Sequence, residues 1–155
     1  MAWSLPDARP HTPAAFRLRL SSIEPWDLTP AFFALWQDPR LCRHLHLPLQ
    51  SGSDRVLAAM RRGYSRDDYL RLVTEARRMV PGVALTTDLI VGFPGETAAE
   101  FEETLATIGR VGFSGAFSFK YSPRPGTRAA ALEEYKLLKR LQAETAEKLF
   151  NQIYR

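Results

Sequence analysis

Two segments of this chain share one pattern, an apolar run that breaks into small polar residues and resumes at helical spacing. They are HLHLPLQSGSDRVLAAMRR, His44 to Arg62, and TTDLIVGFPGE, Thr86 to Glu96. Each reads as a buried strand, a tight loop and the start of a helix. Strands that each lead into a helix return to the same sheet through right-handed crossovers, so the pattern predicts parallel βαβ units. Both loops then lie beyond the carboxyl ends of the strands, where helix N-termini and unpaired backbone N–H groups converge and ligands bind. The polar residues fall at that end. Gln50, Ser51, Gly52 and Ser53 close the first strand, and Asp88 interrupts the apolar run of the second.

Composition narrows the class. With 155 residues, 45% hydrophobic and 25% charged, the chain is long enough for one domain with a sizeable core. No apolar run approaches the roughly 18 residues that span a bilayer, and the N-terminal stretch lacks a basic-then-apolar signal, which predicts a cytoplasmic protein without membrane contact. The one cysteine, Cys42, excludes an internal disulfide framework or a site built from several thiolates of these residues, and a buried structural thiol is expected. A net charge of +4 is compatible with an anionic partner such as RNA without requiring one.

The elements follow from periodicity and punctuation. Residues 1–15 carry prolines at 6, 10 and 13 and read as a loosely ordered leader. A first strand is predicted over Phe16 to Ile23, where Phe16, Leu18 and Leu20 alternate with Arg17, Arg19 and Ser21. Thr29-Pro30 starts a helix with Phe32, Phe33, Leu35 and Trp36 on its apolar face, ending before Pro39. The second strand is Leu45 to Leu49. Ser51 or Ser53 caps the helix bearing Val56, Leu57 and Met60, and Gly63 ends it. A helix capped by Ser65 carries Tyr69, Leu72, Val73, Ala76 and Met79, and Pro81-Gly82 turns the chain into a third strand, Ala84 to Val91. Thr97 caps the next helix, with Phe101, Leu105 and Ile108, which ends near Gly112. A fourth strand is predicted at Ala116 to Tyr121, and a long helix from about Arg128 to Arg155. Four parallel strands do not close a barrel, which needs about six to eight, so the expected architecture is part of a larger TIM-like (β/α) barrel, with a small open sheet with exposed edges as the alternative.

The segments RLRLSSIEPWDLTP, HLHLPLQSGSDRVLAAMRRGYSRDDYL, LTTDLIVGFPGETAAEFEETL and FSFKYSPRPGTRAA together resemble the second half of the radical S-adenosylmethionine core of the methylthiotransferases. That family adds a methylthio group to C2 of modified adenosine 37 in the transfer-RNA anticodon stem-loop. The likeness covers about Phe16 to Ala131 and is specific in combination. It implies an S-adenosylmethionine site in which Gln50 and Ser51 hold the ribose or methionyl group, and Arg62, twelve residues on, pairs with the cofactor carboxylate through a planar fork that keeps its charge. It implies Asp88 as the ribose-hydroxyl acceptor, and a backbone at Ile90 and Gly92 that lies against the adenine. Glu24 resembles an acid that binds the methionyl ammonium. In YSPRPGT, Lys120, Tyr121 and Arg124 form a proline-stiffened loop that can stack a base and contact phosphate, and the resemblance puts it at the substrate mouth.

Each residue also has a purely structural reading. Gln50 and Ser51 could cap the next helix, Arg62 could be a solvated arginine beside Arg61, and Asp88 could hydrogen-bond a neighbouring backbone. Gly92, Pro94 and Gly95 could form only a turn, and YSPRPGT only a rigid connector. His44 and His46 lie two apart and could present a metal pair, although no third ligand is evident and core or rim histidines are favoured. The departures from the family are equally specific. A CxxxCxxC loop for a 4Fe-4S cluster, the amino-terminal domain with a second cluster and the RNA-binding barrel expected after Arg155 have no counterpart here, so the chain is expected to be inactive alone and to need a missing amino-terminal half or a partner chain. The branch is divided: SSIEP and RHLHLPLQSGSDRVLAAMRRGY lean to threonylcarbamoyl-adenosine, FSFKYSPRPGT to isopentenyl-adenosine, with the ribosomal-protein branch third. The alternatives are a non-catalytic module that binds S-adenosylmethionine or RNA, and an unrelated phosphate-binding barrel fragment.

Overall fold

The strand–loop–helix unit occurs twice and feeds one sheet. The computed structural model describes residues 16–127 and 129–131; the leader and nearly all of the long terminal helix expected from the sequence lie outside the described residues. Strands β1 (His44–His46), β2 (Ala84–Val91) and β3 (Gly115–Lys120) are parallel, in the order β1-β2-β3. Thr86 of β2 pairs with His46, and Asp88 and Ile90 pair with Phe117 and Phe119. This is the parallel α/β layer the repeated pattern predicts.

Alternation along β2 separates two faces. Leu85, Thr87, Leu89 and Val91 are buried, while Ala84, Thr86, Asp88 and Ile90 are half-buried on the other side. The buried side shares a core with helices α3 (Arg66–Met79) and α4 (Ala98–Val111): Leu45, Leu47 and Leu49 join Tyr69, Val73, Ala76, Phe101, Ile108 and Val111. Each fully buried leucine contributes roughly 1.5–3 kcal/mol. The polar face of β2 is thereby left to the interior of the partial barrel.

Helix starts obey the local signals. Ser65 with Asp68, and Thr97 with Glu100, form complete capping boxes for α3 and α4, which satisfy otherwise orphaned N–H groups. Ser53 caps α2 (Asp54–Ala59) by accepting from Val56 N. Thr29 caps α1 (Pro30–Phe33), which tightens to a 3-10 turn over Ala34–Gln37 and stops before Pro39. The fourth predicted strand is β3, shifted by one residue.

Three expectations change. The first predicted strand reduces to an extended stretch with one parallel bridge, Leu18 to Leu41, and a bond from Ile23 N to His46 O at 3.0 Å. Its alternating pattern lacks a facing layer among the described residues: Phe16 and Leu18 remain 49% and 37% exposed. The described sheet therefore has three strands. Gly63 does not end α2. The chain turns at Arg61, with φ of 59°, while Arg61 N and Arg62 N bond to the carbonyls of Ala58 and Leu57. That is a Schellman cap with arginine in the position glycine usually takes. Finally, Cys42 is half-buried, not fully so.

Candidate functional site

The loop after β1 is built around a strained residue. Gln50 has φ of 65°, a left-handed conformation that costs a non-glycine residue on the order of 1 kcal/mol. It is held there by β2: Gln50 N donates to Asp88 O and Ile90 N donates to Gln50 O, both at 2.9 Å. Gln50 thus sits beside Asp88 and Ile90, and the three residues assigned to the nucleoside end of a cofactor are adjacent. Ser51 is placed differently. It is fully buried, its Oγ accepts from Ser53 N at 3.2 Å and lies 3.4 Å from Thr104 Oγ1 of α4. Gly52 N donates to Thr104 Oγ1 at 2.9 Å, and a Cβ at Gly52 would meet Thr104 Cα at 2.6 Å and Glu103 O at 2.7 Å. Only glycine allows this approach, so Ser51 and Gly52 seat the loop on α4.

The loop after β2 closes on itself. Gly92 and Gly95 have φ of 71° and 79°, and Glu96 N donates to Phe93 O at 2.9 Å, a turn with Pro94 and Gly95 at its centre. The Glu96 carboxylate accepts from Gly92 N at 2.7 Å. Burial pushes that carboxyl above its ordinary range, and the Gly92 and Phe93 backbone opposes the shift. Ile90 N and Gly92 N are therefore both engaged within the chain. What this edge offers a ligand is shape and carbonyl oxygens.

Glu24, Arg62 and Tyr64 meet near the end of β1. Arg62 Nη1 lies 3.4 Å from Glu24 Oε1. The other carboxylate oxygen, Glu24 Oε2, is buried without a hydrogen-bond partner, which is costly unless a donor arrives. Tyr64 donates to Pro48 O at 3.0 Å or Leu49 O at 3.2 Å, and burial pushes its hydroxyl up to about 12, so it stays protonated. On the barrel-interior face His46 Nε2 lies 3.2 Å from Asp88 Oδ2. His44 and His46 both bond to Thr86 Oγ1 at 3.0 Å. Burial, first, and the Arg19 charge push His44 down, keeping it neutral. These residues, with Ser21, Ser22 and Phe117, line a cleft of about 470 Å³. Among the described residues no group of three or more His, Cys, Asp and Glu could hold a metal ion; the histidine pair shares a threonine.

Lys120, Tyr121 and Arg124 extend from the same strand ends. Tyr121 N donates to Val91 O at 2.9 Å and its ring meets Phe93 edge-on at 5.3 Å. Thr127 N donates to Arg124 O across Pro125 and Gly126, whose φ is 82°. The loop is a turn that leaves Lys120 and Arg124 exposed.

Sequence reasoning missed Arg55 and Glu100, which join the two loops, and the His46–Asp88 contact. No local signal marks the contacts themselves, because the partners lie 45 and 42 residues apart. Thr97 followed by Glu100 could have been read as a capping box, and the histidine spacing already placed His44 and His46 on one face.

The sequence model of the Radical SAM superfamily matches residues 12–108, more than half of the chain, and the chain belongs to that superfamily. Within it the sequence goes with the methylthiotransferases. It is 52% identical over 117 residues to a tRNA-2-methylthio-N(6)-dimethylallyladenosine synthase of Moorella thermoacetica, covering 75% of this chain and 26% of that protein. A protein of the same name from Pelobacter propionicus is 50% identical over 135 residues, covering 82% of this chain and 31% of the relative. The chain thus spans about a quarter to a third of the length of these relatives. Its fold is similar to part of coproporphyrinogen III oxidase (HemN) from Escherichia coli, a radical SAM enzyme, at a TM-score of 0.62 and 17% identity, over 85% of this chain and 32% of that one. Among the described residues no helix is long and apolar enough to cross a membrane.

Proposed function

We propose that this chain is the carboxyl-terminal part of the barrel core of a cytoplasmic transfer-RNA methylthiotransferase, and that it supplies one wall of an S-adenosylmethionine pocket and part of the substrate mouth. The observation that carries the reading is the Glu24–Arg62 pair with its partnerless oxygen. A zwitterionic methionyl group brings an ammonium for Glu24 Oε2 and a carboxylate for Arg62, which satisfies both groups where the pair alone leaves one unsatisfied. Asp88 accepts from a ribose hydroxyl, Gln50 fixes the sugar beside it, and the Ile90–Gly92 edge lies along the adenine. Ser51 acts through loop shape.

When bound beside a reducing centre, S-adenosylmethionine supplies radical chemistry and a methyl group. The residues of this chain bind and orient it. With one cysteine, these residues do not fit a 4Fe-4S cluster, so its thiolates come from outside these residues. Lys120, Tyr121 and Arg124 face the anticodon stem-loop, where an aromatic can stack a base and the two cations can meet phosphate. The names of the relatives favour N6-dimethylallyl-adenosine over the threonylcarbamoyl base to which the SSIEP segment leaned.

A chimera tests this. The corresponding segment of the Moorella thermoacetica relative is replaced by this chain and expressed in a bacterium lacking its own methylthiotransferase, and nucleosides are read by mass spectrometry. The expected product is 2-methylthio-N6-dimethylallyl-adenosine. A folded chimera that carries its clusters and leaves only the unthiolated nucleoside would contradict the proposal.

A further inference from the structure

Arg55 stands outside every role assigned above, yet it touches both loops. It lies in the first turn of α2, directly after the Gln50–Ser53 loop. Its guanidinium donates to Glu100 Oε2 at 2.6 Å, to Glu100 Oε1, and to the carbonyl of Gly95. Glu100 is the third residue of α4, directly after the Gly92–Glu96 loop. It also accepts from Ser53 Oγ at 3.3 Å and from Thr97 N and Oγ1 at 2.8 and 2.7 Å. One carboxylate thus collects donors from the first loop, from α2 and from the cap of α4, and one guanidinium reaches from the first turn of α2 to a backbone oxygen of the second loop.

This is more than an exposed ion pair. Arg55 is 56% exposed, but the Glu100 side chain is only 12% exposed, and the planar fork fixes direction as well as distance. Arg55, the largest cause, holds the Glu100 carboxyl down at about 2; burial opposes it, and the Thr97 cap adds to the lowering. The capping box needs Thr97 and Glu100 alone, so helix formation does not require Arg55. Beneath the fork, Gly52 against Thr104 prevents the first loop from moving closer to α4. One contact limits the approach of the first loop to α4 and the other limits its separation from the second loop.

We infer that Arg55 is a positioning residue: with Glu100 it latches the Gln50–Ser53 loop to the Gly92–Glu96 loop and thereby sets the affinity of the pocket for S-adenosylmethionine. The inference rests on the cofactor reading above. Pre-ordering two walls raises affinity by removing the ordering cost at binding, without any contact to the ligand.

The test is a double-mutant cycle on the 155-residue chain, with Arg55→Met, Glu100→Gln and the double variant, titrated calorimetrically with S-adenosylmethionine; Arg55→Lys keeps the charge and removes the fork. Arg55→Met is expected to raise Kd about tenfold, while its thermal midpoint without ligand moves by no more than about 4 °C. The double variant should bind no more weakly than the weaker single variant, because the pair acts as a unit, and Arg55→Lys should recover only part of the loss. Unchanged affinity in Arg55→Met, or penalties that add in the double variant, would overturn the latch while leaving the pocket intact. A wild-type chain that takes up no S-adenosylmethionine would instead remove the pocket reading, and with it the latch as a determinant of affinity.

Discussion

Asp88 shows how far single residues could be read. An aspartate inside an apolar strand is costly unless it faces polar surroundings, and the strand period put it on the face opposite Leu85, Leu89 and Val91. The structure adds its partner, His46, which the sequence could not supply because 42 residues separate them. The link from Arg55 to Glu100 was invisible for the same reason, although Thr97 and Glu100 carry a local capping signal. The acidity of Glu100 gives a signed prediction. The folded chain holds Glu100 from its ordinary 4.5 down to about 2, and unfolding releases it. It therefore contributes stability above about pH 4.5 that is lost as pH falls through 2. Glu100→Gln should flatten the acid limb of thermal midpoint against pH in that window. Glu96 has the opposite sign: burial raises its folded value, so it favours the folded state as acidification protonates it. An acid limb in Glu100→Gln as steep as in the wild type would remove the assignment.

At the scale of elements, caps and turns were legible and closures were not. Ser65, Thr97, Thr29 and Ser53 each accept the backbone bond their position predicted. Gly63 misled because a Schellman cap tolerates arginine when neighbouring contacts hold it. Arg61→Gly should accordingly stabilise the chain by about 1 kcal/mol in denaturant titration. Gly52→Ala should destabilise it by about 2–3 kcal/mol, because the added methyl group meets α4 backbone that cannot move aside cheaply. The strand predicted from Phe16 failed for a physical reason: alternation states which side is apolar, not whether anything covers that side. Equal stability of Gly52→Ala and the wild type would show that the loop does not seat on α4 as described.

Across the described residues, three parallel strands with helices on one face make part of a barrel, and both edges show it. At one edge Phe16 and Leu18 find no facing layer among the described residues, and at the other Phe117 and Phe119 are 62% and 52% exposed. Exposed aromatics on an edge strand favour association. Sedimentation at rising concentration should show self-association that the Phe117→Ser, Phe119→Ser double variant suppresses; a wild-type monomer at all concentrations would oppose this view of the edges. The central claim is that one wall of a cofactor site is already formed in this chain. Calorimetric titration of the wild type and of Arg62→Ala with S-adenosylmethionine tests it most directly. Saturable heat in the wild type, with affinity reduced at least tenfold in a folded Arg62→Ala chain, is the predicted result. No binding by the wild type, or equal binding by the variant, would contradict it.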